Sequence, residues 1–424
     1  MTITNSPLNI AYFIEGMSAS GVDTSTCLLA KELRKDGHRV TRFLPWKDES
    51  NLDMGDEVVQ LPSLRVSRSQ EVYWTYPLNL PLFEWFYRER FDLIHIHTNT
   101  VINLLAWQIA GAFKLPIVYT YHTMAKDYAH YLGPIHDHMG KIVYSAIESY
   151  DRLICDRADA IITPSAKAAH YLQEIGIEDV NIIPNGINLE LFQPTASDWL
   201  HQRFQIPTTH KILLFVGRLN QEKRPLLAYD CFRTLAKVQH NLHLVMVGDG
   251  ALREELEQRA ADDQLTNQFH LTGLVNYSDM PAIYNSADIW LSTSNSEVHP
   301  MVAIEASACG LPSVCWRDEA LNGVVEDKVN GFIVDSGRKF SESLQQLLGN
   351  DALYQQMHLR AVEKASRFRV ENTAQQTLAI YRKVMDHNRH DKKPISIRLP
   401  DSLQQWQHKL ENTLRDFGRS RYAA

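Results

Sequence analysis

Short apolar runs and helical patterns alternate along almost the whole chain, and this alternation is the strongest constraint on its fold. Strands are predicted at NIAYFIE, HRVTRFLP, DLIHIHT, PIVYTYHT, ADAIITPS and VNIIPNGI, and then at KILLFVGRL, LHLVMVGDG, QFHLTGLV, ADIWLSTSNS, PSVCW and GFIVD. Strands that alternate with helices form parallel sheets with crossover helices. The sequence therefore predicts two doubly wound α/β halves, joined near residues 184–207, with ligands bound beyond the carboxyl ends of the strands.

Length and composition agree with a two-domain protein and exclude other classes. A chain of 424 residues exceeds the size at which one core keeps growing. The apolar fraction of 44% is typical of a globular protein, and a net charge of −7 gives no basis for binding nucleic acid. No stretch approaches the ~18 apolar residues of a membrane span, and no basic segment precedes the first apolar run. Five cysteines without a CxxC pair indicate free thiols in a reducing cytoplasm.

The strongest chemical signal lies in residues 292–312, STSNSEVHPMVAIEASACGLP. Glu297 follows a predicted strand, and Glu305 lies inside the next helix. A helix that starts just after Glu297 directs its unpaired amides and its dipole at the space above the sheet, where a diphosphate fits. Glu297 is then placed to accept hydrogen bonds from sugar hydroxyls, and Glu305 from a ribose diol. The strand–turn–helix setting supports this prediction more than the spacing of the two glutamates does.

A second candidate site is the loop in FVGRLNQEKRP, residues 215–225. Gly217 ends a strand, Arg218 follows it, and Lys223 lies five residues later. The glycine allows a ligand to approach the backbone, and the two cations can stabilise the charge that develops on a pyrophosphate leaving group. This would be electrostatic catalysis without proton transfer.

The first half contributes weaker candidates. Gly21 lies between the first strand and a helix, as in a phosphate loop. His122 and Asp127 follow a strand in YTYHTMAKDYAHY, and His122 is a candidate because a histidine at the end of a strand faces the ligand side more often than one inside a strand. A hydrolase is not indicated, since Ser165 has no histidine and aspartate in triad order.

No metal site is predicted. No DxD motif follows a strand, and the clusters at residues 136–138 and 387–391 are interpreted as solvated surface segments.

An ordered set of motifs resembles one known family. In chain order these are Gly21, HIH, PIVYTYHT, ADAIITPS, IPNGIN, VGRLNQEK, GLV, DMPAIYNSADIWLSTSNSE and E-x7-E-A-x-A-x-G-x-P. Over residues 8–385 the chain resembles family 4 glycosyltransferases of the GT-B fold. The resemblance implies two Rossmann-like domains that face each other across a cleft, followed here by a C-terminal helical tail. It also implies a retaining transfer from a nucleotide sugar, without a cofactor or a metal.

The resemblance assigns roles to particular residues. Arg218 and Lys223 would bind the diphosphate, Gly21 would approach it from across the cleft, and His122 would lie near the anomeric carbon. The implied catalytic residues are His122, Glu297, Arg218 and Lys223. The implied donor-binding residues are Gly21, Gly217, Arg218, Lys223, Val275, Glu297, His299, Met301, Val302 and Glu305. One departure is Val298-His299-Pro300, where many members have a glycine before an apolar residue, and Pro300 has no amide to donate to a phosphate.

A narrower resemblance is to the bacterial enzymes that glycosylate diacylglycerol. HTMAKDYAHY is similar to their segment after the histidine, and the aromatic, basic residues 65–91 suit an acceptor domain that rests on a bilayer. In residues 386–424, eight basic residues stand against five acidic ones. There a stripe of Leu403, Trp406, Leu410, Leu414 and Phe417 falls on one helical face, which either binds membrane or packs on protein. The residues expected at the acceptor or membrane are Trp74, Trp85, Phe86, Arg88, Asp127 and Trp406.

Three segments are thus predicted. Residues 1–190 form the acceptor-side domain, to which a helix at 370–385 returns, residues 191–369 bind the donor, and residues 386–424 form a basic linker and an amphipathic helix. The expected protein is cytoplasmic, peripheral on the inner face of the cell membrane, and transfers glucose or galactose from UDP to diacylglycerol or a monoglycosyl-diacylglycerol. Two alternatives remain: a transferase acting on a soluble or polyprenyl-linked glycan, and a non-catalytic nucleotide-sugar-binding subunit.

Overall fold

The computed structural model of the chain describes residues 6–14, 21–45, 57–67, 72–124, 126 and 134–390. Within them the strands are β1 (Asn9–Phe13), β2 (Arg39–Pro45), β3 (Glu57–Leu61), β4 (Ser63–Ser67), β5 (Val72–Thr75), β6 (Leu93–Ile96), β7 (Ile117–Thr120), β8 (Ala160–Thr163), β9 (Val180–Ile182), β10 (Lys211–Val216), β11 (Leu242–Val247), β12 (Phe269–Leu271), β13 (Ile289–Ser292), β14 (Ser313–Trp316) and β15 (Gly331–Val334).

The helices of the same ranges are α1 (Gly21–Lys35), α2 (Leu80–Glu89), α3 (Ile102–Phe113), α4 (Pro134–Cys155), α5 (Ala166–Glu174), α6 (Trp199–Phe204), α7 (Pro225–Ala236), α8 (Arg253–Asp262), α9 (Met280–Asn285), α10 (Met301–Ala308), α11 (Gly337–Leu348), α12 (Asp351–Ala365) and α13 (Val370–His390). None of them is long and apolar enough to cross a bilayer. The chain divides into two compact units, Met1–Met385 and Asp386–Ala424, and every element above except the end of α13 belongs to the first.

The strands form two parallel sheets, as the alternation predicted. The first has the order β3-β2-β1-β6-β7-β8-β9 and the second β12-β11-β10-β13-β14-β15. The central strands are buried on both faces, as in LHLVMV of β11, where every residue is buried. Helices must cover both sides of such strands, which is why these strands read as continuous apolar runs. The prediction of two doubly wound α/β domains is therefore confirmed.

Local sequence signals explain where elements end. Helix α1 is followed by Gly37, whose φ of 88° lies in the left-handed region. The Gly37 amide donates to the Arg34 carbonyl over 2.9 Å, and the His38 amide donates to the Leu33 carbonyl over 3.0 Å. These two bonds form a Schellman motif, which turns the chain directly into β2.

The chain passes between the two sheets twice, and the two crossings pair with each other. The Ile187 amide donates to the Phe368 carbonyl over 2.8 Å, and the Val370 amide donates back to Ile187 over 3.1 Å. Helix α13 then packs on the first sheet. Its Tyr381 hydroxyl lies 2.9 Å from the Tyr12 hydroxyl and 2.6 Å from His95 Nδ1.

The aromatic segment at residues 65–91 interrupts the alternation with an antiparallel pair, β4 and β5, and with helix α2. On α2, Leu82 and Phe86 lie one turn apart and face inward, while Tyr87 is 76% exposed. Phe86 is 2% exposed and packs on Phe43 and Phe91. Phe86, which was expected at the acceptor or the membrane, therefore lies in the core of the first sheet, because the helical register of α2 points its ring inward.

Candidate active site

The loops that follow β10 and β13 meet at the carboxyl edge of the second sheet. Lys223 ends a 3-10 turn after β10, and Glu297 follows β13. The Lys223 ammonium donates to Glu297 Oε1 over 2.5 Å, and both side chains are less than a fifth exposed. The two residues expected at the diphosphate and at the transferred sugar are thus in direct contact.

Glu297 is ionised because of this contact. Burial raises the pKa of its carboxyl, but the charge and hydrogen bond of Lys223, helped by Ser294 and Lys167, outweigh burial and hold the pKa below its usual value. A phosphate that pairs with Lys223 would weaken the contact by which Lys223 lowers the pKa of Glu297. Glu297 can then take hydrogen bonds from sugar hydroxyls in place of the one it loses.

Arg218 is positioned by a residue that the sequence did not single out. Its guanidinium lies 3.1 Å from Oε1 of Glu222, whose side chain is 1% exposed. The backbone around Glu222 is held by hydroxyls of the β13 loop, because Ser296 donates to the Glu222 carbonyl and Thr293 to the Lys223 carbonyl. Hydroxyls of the STSNS run therefore fix the backbone of the loop that carries both cations.

Glu305 lies on α10 and is 3% exposed. The Tyr277 hydroxyl donates to its Oε1 over 3.1 Å, and the Tyr284 hydroxyl donates to its Oε2 over 2.9 Å. Burial raises the pKa of Glu305 to about 7, although both hydroxyls oppose that rise. Each carboxylate oxygen has a second lone pair, so the group can still accept bonds from a diol.

Helix α10 starts at Met301, with Pro300 as its N-cap residue. The Pro300 carbonyl accepts from the Ala303 amide over 3.0 Å, whereas the first amides of a helix have no intrahelical partner. These are the amides of Met301 and Val302. Val275 is partly buried and packs against the apolar core cluster that contains Met301. The start of α10 can thus offer two amides and its dipole to an anion, one fewer than a chain with a non-proline N-cap.

On the first sheet, His122 follows β7 and borders a cavity that is also lined by His97, Thr120 and Thr26. His97 Nδ1 lies 3.2 Å from His122 Nε2. Burial, helped by His299, lowers the pKa of His122 to about 3, and burial lowers the pKa of His299 to about 4. Both imidazoles are therefore neutral at physiological pH. They can exchange hydrogen bonds with a sugar but cannot act there as charged acids.

Two glycines determine how closely the loops of the second sheet approach each other. Gly217 has a φ of 154° and Gly248, after β11, a φ of 133°. A Cβ atom on Gly248 would lie 2.1 Å from the Gly217 carbonyl oxygen. Gly21 begins α1, and among the described residues no atom lies within 4 Å of the place where a Cβ atom would stand. Gly248 is not among the site residues predicted from the sequence, although a glycine directly after a strand can indicate such a close approach of two loops.

We therefore predict that Gly248→Ala impairs donor binding. The added carbon requires the Arg218 loop to shift and also places alanine at a φ that costs about 1–3 kcal/mol. Donor affinity and thermal unfolding should both decrease. Gly140→Ala is the control, since no atom of the described ranges lies within 4 Å of its new Cβ atom. Normal donor affinity in Gly248→Ala would mean that the close approach does not shape the site.

The residues expected at the acceptor side differ in their surroundings. Trp74 is 51% exposed, and Trp85 is partly buried against Phe43. Arg88 is exposed and pairs with Glu84 over 2.9 Å. Asp127 and Trp406 lie outside the described residues.

The fold and this donor-side site define a glycosyltransferase of the GT-B fold that transfers a hexose. A family model described as Glycosyltransferase Family 4 matches residues 19–191, and one described as Glycosyl transferases group 1 matches residues 197–364. Both models describe glycosyltransferases and together they match most of the chain, which is consistent with a family 4 enzyme of the GT-B fold.

Three named glycosyltransferases are similar to this chain over more than two thirds of its length. The alpha-monoglucosyldiacylglycerol synthase of Streptococcus pneumoniae is 27% identical over 322 residues, which cover 74% of this chain and 72% of that protein. The alpha-monoglucosyldiacylglycerol synthase of Acholeplasma laidlawii is 23% identical over 87% of this chain and 95% of its own length. A D-inositol 3-phosphate glycosyltransferase of Corynebacterium urealyticum is 27% identical over 69% of this chain and 71% of that protein.

Solved structures share the fold at low identity. A sucrose-phosphate synthase from Thermosynechococcus elongatus superposes with a TM-score of 0.74 at 20% identity, over 90% of this chain and all of that one. The Anabaena protein HepE in complex with UDP-glucose gives a TM-score of 0.71 at 19% identity, over 88% of this chain and 99% of that one.

Proposed function

We propose that this enzyme transfers glucose or galactose, with retention of configuration, from a UDP-sugar to diacylglycerol or a monoglycosyl-diacylglycerol. The choice of a lipid acceptor is supported by the similarity to two alpha-monoglucosyldiacylglycerol synthases, one of which is matched along 95% of its length. In this proposal the first domain, residues 1–190, holds the acceptor with α13 packed behind it, and residues 191–369 bind the donor.

The contacts of the second sheet support the donor roles. Lys223 and Arg218 lie in the loop after β10, and the start of α10 follows the neighbouring β13 loop, so these groups can turn from their carboxylate partners to a leaving diphosphate at the carboxyl edge of the sheet. These groups can carry the charge that a metal ion otherwise neutralises, so we propose a metal-free reaction. Glu297 then holds the sugar and Glu305 the ribose, with His122 facing the sugar from the first domain.

Exposed apolar side chains support a membrane role for the first domain. Most of those that are large and exposed in the described residues lie before residue 190: Leu64, Trp74, Tyr76, Leu78, Leu80, Tyr87, Leu104, Ile142, Tyr144, Tyr150, Leu153 and Ile182. Exposed aromatic and aliphatic groups of this kind insert into the interfacial region of a bilayer. The proposed location is the inner face of the cell membrane.

We expect the protein to co-sediment with anionic liposomes and to be partly released by high salt, because basic residues add about 1 kcal/mol each near an anionic surface. Trp74→Asp, and separately deletion of residues 391–424, should lower the bound fraction. Leu359→Asp is the matched control, since Leu359 is 67% exposed on α12 of the second domain. Failure of the unaltered protein to bind both neutral and anionic liposomes at low salt would contradict the proposal.

Activity should be measured with a panel of UDP-sugars against diacylglycerol, monoglycosyl-diacylglycerol and water-soluble or polyprenyl-linked glycans, with one arm containing EDTA. Transfer to the lipids in every arm supports the proposal. Transfer to the glycans alone would favour the polysaccharide alternative, and donor binding without any turnover would indicate a non-catalytic subunit. Loss of turnover in EDTA would overturn the metal-free reaction.

A further inference from the structure

A lysine from the first domain reaches the backbone of the donor-side glutamate. Lys167 lies in the first turn of α5 and is 16% exposed. Its ammonium donates to the carbonyl oxygen of Glu297 over 2.9 Å and to Oδ1 of Asp318 over 2.7 Å. Both acceptors belong to the second domain, so this single side chain joins the two domains at the donor site.

Asp318 completes the contact from the other side. Its side chain is 2% exposed, and its Oδ2 accepts from the Glu297 amide over 3.1 Å while its Oδ1 accepts from the Ala320 amide over 2.9 Å. Both backbone polar groups of Glu297 are therefore held by the Lys167–Asp318 pair. The carboxyl of the same residue is held separately, by Lys223.

The next residue strengthens the connection between the domains. Val298 follows Glu297 in the chain but is buried in the apolar core cluster of the first domain, with residues such as Tyr121 and Tyr171. Opening the cleft would withdraw Val298 from that cluster and pull Glu297 away from Lys167. Opening would return both charges of the Lys167–Asp318 pair to water, and their hydration would offset much of the lost attraction, so the pair specifies the closed geometry more than it stabilises it.

We propose that Lys167 is a positioning residue, which acts through Asp318 to place Glu297 for the donor sugar only when the two domains are closed on each other. The proposal rests on the role of Glu297 given above. Under this proposal, Glu297 is placed for the sugar only when the domains are closed. Glu305 and its partners Tyr277 and Tyr284 all belong to the second domain, so the ribose contact does not depend on closure. Binding of UDP alone and turnover of the donor should therefore respond differently to loss of Lys167.

The test compares Lys167→Met and Lys167→Arg with a matched pair elsewhere. Lys211 pairs with Asp288 over 2.8 Å, and Asp288 also accepts from a backbone amide, but this pair lies at the opposite edge of the second sheet. Lys167→Met should lower the rate at which UDP is released from the donor by about 10²-fold, with or without an acceptor. This is the usual effect of misplacing a group at the reaction centre by an ångström. Affinity for free UDP should stay within about twofold, because Glu305 is untouched.

Lys167→Arg should restore much of the lost turnover, and Lys211→Met should behave like the unaltered protein. Hydrogen exchange of the Glu297 amide should become faster in Lys167→Met and not in Lys211→Met. Normal turnover with unchanged exchange in Lys167→Met would overturn the proposal. If Glu297→Ala itself turns over normally, the donor role of Glu297 fails instead, and the exchange measurement still decides whether Lys167 positions that residue.

Discussion

Replacing Lys223 with alanine is expected to lower turnover about 10²- to 10³-fold, the range seen when one electrostatic stabiliser of a developing charge is removed. Two effects add. The leaving diphosphate loses a cation, and Glu297 loses the partner that holds its pKa below the usual value. Its buried carboxyl should then bind a proton at a higher pH, so the activity of the variant should decline at mildly acidic pH where the unaltered enzyme is still active.

The measurement is a pH profile of donor turnover for Lys223→Ala, Lys223→Arg and the control Lys211→Ala. The arginine variant should keep Glu297 ionised and therefore keep the original acidic limb. Arg218→Ala should lose turnover without moving that limb, since Arg218 pairs with Glu222, whereas the pKa of Glu297 is lowered by Lys223, Ser294 and Lys167. A folded Lys223→Ala protein with near-normal turnover would remove Lys223 from the reaction.

Replacing Glu305 with alanine should weaken the binding of free UDP by roughly 10- to 100-fold, because a hydrogen bond to a charged group contributes about 1.5–3 kcal/mol. Glu297→Ala should instead reduce turnover and sugar discrimination while leaving UDP affinity nearly unchanged. Calorimetric titration of both variants with UDP separates these outcomes. An equal loss of UDP affinity in the two variants would mean that the roles are wrongly divided.

The same titration should show a proton effect at Glu305, whose pKa burial raises to about 7. A ribose diol donates hydrogen bonds and favours the ionised carboxylate, so UDP affinity should rise with pH through 7 and binding near pH 7 should release protons. The stability of the fold depends on pH in the opposite direction to UDP affinity. A carboxyl with a raised folded-state pKa stabilises the fold at low pH, and this contribution is lost as the pH rises through 7. Identical heats in buffers of different ionisation enthalpy would contradict the assignment.

Much of the fold could be predicted because parallel strands covered on both faces are apolar along most of their length. KILLFV and LHLVMV are such runs, and both are central strands. The contact of Lys223 with Glu297 was also predictable in outline, since loops at the carboxyl ends of neighbouring strands must meet.

Contacts across the cleft could not be predicted in this way. Lys167 lies 130 residues before Glu297, and Asp318 lies 21 residues after it. Nothing in the local pattern of an isolated lysine or aspartate distinguishes these two from solvated surface charges. The position of Phe86 could not be predicted for a related reason. Composition identifies an aromatic segment, but only the register of α2 decides which ring faces inward.

The return of α13 has a consequence for the order in which the protein matures. Ala374, Tyr381 and Val384 belong to the same buried cluster as Ile10 and Tyr12 of β1. A ribosome makes these three residues only after the whole second sheet, so that face of the first sheet stays uncovered while the rest of the chain emerges. The second sheet, by contrast, is built from strands that follow one another in the chain, from β10 at Lys211 to β15 at Val334, so it can form before α13 is made. We therefore expect the amino-terminal half, although synthesised first, to be the last to become stable, and to need a chaperone most during that interval.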